Sequence, residues 1–180
     1  ILLTSGAITL VVEREQGLLR RLASAPLSRA SIVLGKWLAR MSLALVQLAF
    51  AMVLGSVLFR VDWGQSVPMV VAVLLAWAGL NASLALLLGS LARTIGQTTG
   101  IGVLTSLVLA ALGGCWWPIE IAPQLMQKLQ LFLPTGWAMD GLHQLVSFGA
   151  APAAVPPHLG GMLPRTVVLV ALATRLFRFE

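Results

Sequence analysis

The sequence has 180 residues, 58% of them hydrophobic and only 10% charged, with a formal net charge of +6. Ordinary soluble domains carry roughly 25% charged residues, and no soluble fold of this size hides so much apolar surface, so the class is a membrane-embedded helical bundle. The basic excess reads as an orientation signal rather than a nucleic-acid footprint, because no bases alternate with aromatics as a strand-binding groove requires; the single cysteine, Cys115, excludes an internal disulfide and any multi-cysteine metal site.

The first twelve residues, ILLTSGAITLVV, are apolar throughout. They are too few for a ~30 Å hydrocarbon core, which takes about 20 helical residues, and they lack the basic start and cleavage site of a signal peptide. They are expected to be the end of a span that begins upstream. Glu13–Arg40 then gathers six of the twelve Lys and Arg residues. Within it Glu13–Ser24 is amphipathic, with Leu18, Leu19 and Leu22 on one face and Arg14, Arg20 and Arg21 elsewhere. Pro26 ends that helix, and Ser28 is expected to cap the next one. A basic helix resting on anionic lipid is the plainer reading of this stretch; a lever pushed by a soluble partner is the functional one.

Met41–Phe59 contains no charge and at 1.5 Å per residue makes one crossing of about 28 Å. Spans are expected over about 32–59, 68–92 and 95–117, separated by the Arg60–Gly64 turn and by Arg93-Thr-Ile-Gly. Gly96 and Gly100 have a small-xxx-small spacing suited to helix packing. Residues 120–147 hold Glu120, Lys128, Asp140 and His143 and are broken at Pro134-Thr-Gly136, so each half has the length of a re-entrant or interfacial helix. Ala150–Gly161 reads as a loop, and a last span is expected over about 162–177. With Glu13–Arg40 inside, nine Lys and Arg lie inside and three (Arg60, Lys128, Arg165) outside, which agrees with the positive-inside bias.

Several polar residues invite chemistry. Gln47, Asn81, Thr105 and Ser106 lie inside spans, where they line a substrate path or, more ordinarily, bond one helix to another. Asp140 and His143 stand at i and i+3, but no third ligand or nucleophile has a recognisable spacing, so capping or an interfacial role is favoured. No G-x-x-x-x-G-K-[ST] loop occurs, so the chain is not expected to bind ATP or any other cofactor itself.

The stretch VVEREQGLLRRLASAPLSRASIVLGKWLA resembles the cytoplasmic loop of type-2 ABC transporter permeases, which have the type V exporter fold. The likeness falls on Glu13, Arg14, Glu15, Gly17, Leu19, Arg21, Leu22, Pro26, Leu27, Ser28, Arg29, Gly35 and Lys36. A second match runs through Pro118, Glu120, Pro123, Leu133, Pro134, Gly136, Trp137, Asp140, Gly141 and Leu142, and is similar to the paired re-entrant helices before that family's final span.

The resemblance implies an all-α polytopic bundle, the C-terminal part of a permease, with a coupling helix at about 13–27 seated in a groove of a partner ATPase. Glu13, Arg14, Glu15, Gly17, Leu18, Leu19, Arg20, Arg21 and Leu22 become the candidate coupling residues, the arginines pairing with acids and the leucines filling an apolar slot. The acids are expected at a helix start, and Gly17 is expected to admit a partner backbone. Lys36 and Arg40 are expected to hold the membrane register. Pro118, Glu120, Pro123, Pro134, Gly136, Trp137 and Asp140 become candidate gate residues. The implied partners are an ABC ATPase carrying ATP and Mg, a second permease copy and membrane lipid, with no nucleic acid. The implied location is a bacterial inner membrane, and the implied cargo is a hydrophobic drug, antibiotic or lipid-like molecule. Polysaccharide export and an intramembrane enzyme using Asp140 and His143 are the alternatives.

Overall fold

The computed structural model describes residues 2–24, 26–116, 121–130, 132–149 and 151–177, apart from the side chains of Leu2, Arg20, Ala23 and Ala154. Every regular element among the described residues is helical, and four helices are long and apolar enough to cross a membrane.

α1 (Leu2–Glu15) and α2 (Leu18–Ala23) are separated by a turn at Gln16–Gly17. Gly17 stands at φ 72°, in the left-handed region, and its N–H donates to the Arg14 carbonyl at 3.0 Å. A side chain in that conformation costs roughly 1–2 kcal/mol. This break corrects the single amphipathic helix expected from Glu13 to Ser24. Glu13 and Glu15 occupy the last turn of α1 rather than a helix start, so the helix dipole works against them. Lys36 compensates at Glu13, forming an ion pair with its carboxylate.

α3 (Arg29–Leu58) begins as expected: the Ser31 N–H donates to Ser28 Oγ at 3.1 Å. Its 30 residues span about 45 Å, longer than the ~30 Å a crossing takes, and its charges all lie at or before Arg40. In the turn that follows, Trp63 folds back, donating from Nε1 to Ser56 Oγ at 2.8 Å over Gly55. α4 (Val67–Leu91) is the most enclosed span: 56% of its apolar window is buried within the chain, against 6% for α3 and 11% for α5 (Ile95–Leu112). Most of the apolar surface of α3 and α5 is therefore left uncovered by the described residues.

α5 starts with Thr94 Oγ1 accepting from the Gln97 N–H at 3.2 Å while Gln97 Oε1 accepts from the Arg93 N–H, a close relative of the capping box. It stops at Leu112, five residues before the expected end at Trp117. Gly114 takes φ 78° and the Cys115 N–H returns to the Ala110 carbonyl at 3.0 Å, the Schellman arrangement. Two short helices follow, α6 (Gln124–Gln130) and α7 (Pro134–Leu142), the latter running into a π turn at His143–Ser147. α8 (Pro156–Leu176) starts six residues earlier than the expected 162, within the expected loop, because Pro156 and Pro157 suit a first helical turn whose N–H groups have no helical partner.

The chain divides into two compact units. The first comprises Ile1–Ser42, Gly79–Ser106 and Arg165–Glu180. Its core joins Leu10, Leu19, Ile32, Val33, Leu86, Ala173 and Phe177, with Leu22, Trp37, Leu87 and Val170 packed against them. The end of α1, the whole of α2, the start of α3 and the ends of α4 and α8 thus meet in one cluster. These are the helix ends that carry Arg14, Lys36 and Arg175. Trp37 crosses to α4, its Nε1 donating to the Gly79 carbonyl and Ser83 Oγ, each at 3.0 Å.

The second unit comprises Leu43–Ala78 and Leu107–Pro164. Missing Cβ atoms let its backbone close up: a Cβ on Gly136 would overlap the Gln130 carbonyl, and one on Gly161 would overlap the Trp137 ring. Gly96 and Gly100, by contrast, face open space, so their spacing packs nothing inside this chain. Gly136→Ala should therefore lower stability by about 1–3 kcal/mol through overpacking, whereas Gly96→Ala should leave it the same or raise it by up to about 1 kcal/mol, as read by thermal unfolding in nanodiscs.

Candidate functional site

The site begins with charges placed where helices end. Arg14, in the last turn of α1, donates through Nη1 to the Ala92 carbonyl at 2.8 Å and through Nη2 to the Gly89 carbonyl at 3.1 Å. The last carbonyls of a helix lack partners within it and carry the negative end of its dipole, so a guanidinium is a fitting cap for α4. A Cβ on Gly89 would press on the Ala7 carbonyl and Leu10, so only glycine allows α1 and α4 to lie this close. Arg40 reaches from α3 to the Gly6 carbonyl of α1 at 2.7 Å, and Lys36 reaches from α3 to Glu13. Lys36 and Arg40, expected to set the membrane register, are thus turned onto α1.

These contacts redistribute the roles expected of the basic stretch. Arg14 turns inward onto the Ala92 and Gly89 carbonyls at the end of α4, whereas the sequence reading aimed it at a partner. Leu19 is fully buried and Leu22 packs on the same core, so these leucines fill this chain's own interior rather than a slot in another protein. What α2 presents outward is Leu18, which is 40% exposed, and the exposed Arg21. Glu15 is exposed beside them, and the space around Gly17 is open, as a docking backbone would need. The side chain of Arg20 lies outside the described residues.

Of the second motif, Pro118 and Glu120 lie outside the described residues. The carbonyl of Pro123 accepts from the Met126 and Gln127 N–H groups and so starts α6. Pro134, Gly136, Trp137 and Asp140 all stand on α7, with Pro134 at its first turn. Asp140 pairs with His158 on α8, Oδ2 to Nε2 at 2.7 Å, and not with His143. His158 was missed because it lies 18 positions away, in a stretch expected to be loop. Its ring also meets Trp137 edge-on, with centroids 6.2 Å apart. Gln130, Gly136, Trp137, Asp140, Pro157 and His158 surround a cavity of about 260 Å³.

Gln47 is exposed on α3 in the second unit; Asn81, Thr105 and Ser106 are half-buried in the first. Cys115 is exposed, but neighbouring atoms still desolvate its thiol and raise its pKa, so it stays protonated at neutral pH. Arg14→Gln should free the end of α4, with amide exchange in its last turn rising about 10–100-fold, the loss of a charged hydrogen bond worth about 1.5–3 kcal/mol. Arg21→Gln should leave that exchange unchanged, as measured by hydrogen–deuterium exchange.

The profile of the ABC-2 family transporter protein matches residues 1–175. The linearmycin resistance permease protein LnrN of Bacillus subtilis (strain 168) is 29% identical over 173 residues, covering 94% of this chain and 44% of that protein. The chain therefore spans less than half the length of that curated relative. No solved structure matches. A family match across nearly the whole sequence, over four helices long and apolar enough to cross a bilayer, means that the chain belongs to the ABC-2 transporter family as a multi-pass, all-helical membrane protein.

Proposed function

We propose that this chain is part of the permease of an ATP-binding cassette exporter, and that α2 with the Gly17 turn is where a partner ATPase acts. The observation that carries this reading is the cluster of Leu10, Leu19, Ile32, Leu86 and Phe177, which ties α2 to the ends of α1, α3, α4 and α8. A force on the exposed Leu18 and Arg21 would reach α1, α3, α4 and α8, because Leu19 and Leu22 root α2 among them. Arg14 and the Glu13–Lys36 pair stiffen the same junction. Closure of the ATPases on ATP would then tilt these helices together, as alternating access requires.

In this reading α2 faces the cytoplasm of a bacterial inner membrane, and ATP and Mg bind the partner subunit. A second permease copy completes the path, covering part of the apolar faces that α3 and α5 leave open. The cargo is a hydrophobic or amphiphilic antibiotic, drug or lipid-like molecule. Support comes from the similarity to a linearmycin resistance permease and from spans with few charges. Arg21→Glu with Leu18→Asp in the full-length transporter should abolish ATPase co-purification or lower cargo-stimulated hydrolysis by about tenfold or more, the loss of roughly 1.4 kcal/mol of docking energy. Undiminished stimulation with normal membrane insertion would overturn the docking assignment.

A further inference from the structure

The cavity between α7 and the start of α8 has a composition that the coupling mechanism does not use. At about 260 Å³ it falls below the roughly 300–1,000 Å³ of pockets that take drug-sized ligands, so it suits a single ring or a headgroup rather than a large cargo. Its walls offer hydrogen-bonding groups of mixed kind. Gln130, only 7% exposed, brings an amide that both donates and accepts. Asp140, with its side chain 52% exposed, brings a carboxylate already engaged by His158. Trp137 and Pro157 supply the apolar surface, and Gly161 is what lets the Trp137 ring lie against α8.

The charge pattern narrows the ligand. Among the described residues no Lys or Arg lines the cavity, and Asp140 repels anions, so a phosphate or carboxylate is disfavoured. An amine would find Asp140 but would leave the Gln130 amide N–H₂ unmet. A neutral molecule with several hydroxyls meets every group: each hydroxyl donates to Asp140 or to the Gln130 oxygen and accepts from the amide, while its C–H face covers the indole. We propose that this cavity binds an uncharged sugar ring or comparable polyol, through Gln130, Asp140 and Trp137. Because α8 begins at Pro156 and is itself a candidate span, the cavity lies where a glycolipid headgroup would present such a ring. A free or cargo-borne sugar carries the same chemistry.

The test uses the full-length permease with its ATPase in nanodiscs of phosphatidylcholine, prepared without sugar-headed detergents, and saturation-transfer NMR of methyl β-glucoside. Saturation transfer should be seen, and Gln130→Leu and Trp137→Ala should each weaken binding about tenfold, the effect of one lost polar or stacking contact. The milder Asp140→Asn should also weaken it, and it serves if the larger changes disturb folding. Displacement of the glucoside by monoglucosyl-diacylglycerol assigns the site to a lipid headgroup; retention of the signal assigns it to a free or cargo-borne sugar. Absence of transfer, transfer unchanged in all three variants, or transfer from choline in place of the glucoside would each overturn the proposal. None of these outcomes bears on whether the ATPase docks at α2.

Discussion

The guanidinium of Arg14 against the last carbonyls of α4 is the contact on which the first unit depends. It answers two demands with one side chain: a cation beside the acids that end α1, and donors for carbonyls that end a buried helix. Without it the α4 terminus would need water where the helices close together, and unsatisfied carbonyls there are costly. With it in place, Gly89 brings α1 against α4, and Lys36 and Arg40 fasten α3 to the same helix. The short α2 inherits a rigid base that its six residues could not make alone.

That base bears on the coupling role proposed for α2. Leu19 and Leu22 are anchors inside the protein, and the outward face is small: Leu18, Arg21 and their neighbours at the turn. In the proposed role, a small docking face on a stiff root would pass a displacement on to the helices around it. The second unit is built differently, by close glycine approaches at Gly64, Gly136 and Gly161 and by the Asp140–His158 pair. Its cavity is lined by groups that none of the coupling contacts employ.

Much of the fold was readable in the sequence, because spans announce themselves as uncharged runs of bilayer length. Helices α3 and α4 cover nearly the residues of two expected spans, α5 starts at the expected 95 but ends five residues short of 117, and Ser28 caps α3. The misses share a cause. Gly17 marks a break only once its left-handed φ is known, and Pro26 downstream was the louder signal. Arg14 sits in a basic run that looks solvent-facing, whereas its partners are carbonyls 75 and 78 positions away. Asp140 has a histidine three residues on, yet it chose one 18 residues on, across a turn that sequence periodicity does not encode. Local signals located the elements; the contacts between distant helix ends decided which side chains were left for a partner.

In the proposed assembly a partner ATPase seats on the face of α2 that carries Leu18 and Arg21. Site-directed cross-linking reads this directly, since the thiol of Cys115 is easily removed as Cys115→Ser. Cysteine placed at Leu18 or Arg21 of the full-length permease should form cross-links to the ATPase subunit, with a yield that changes between nucleotide-free and ATP-bound states. Cysteine at the buried Leu19 should form none. If positions 18 and 21 remain unlinked while cysteine at Gly96 or Gly100 of α5 captures the ATPase, the docking face lies elsewhere and the account of coupling through α2 is contradicted.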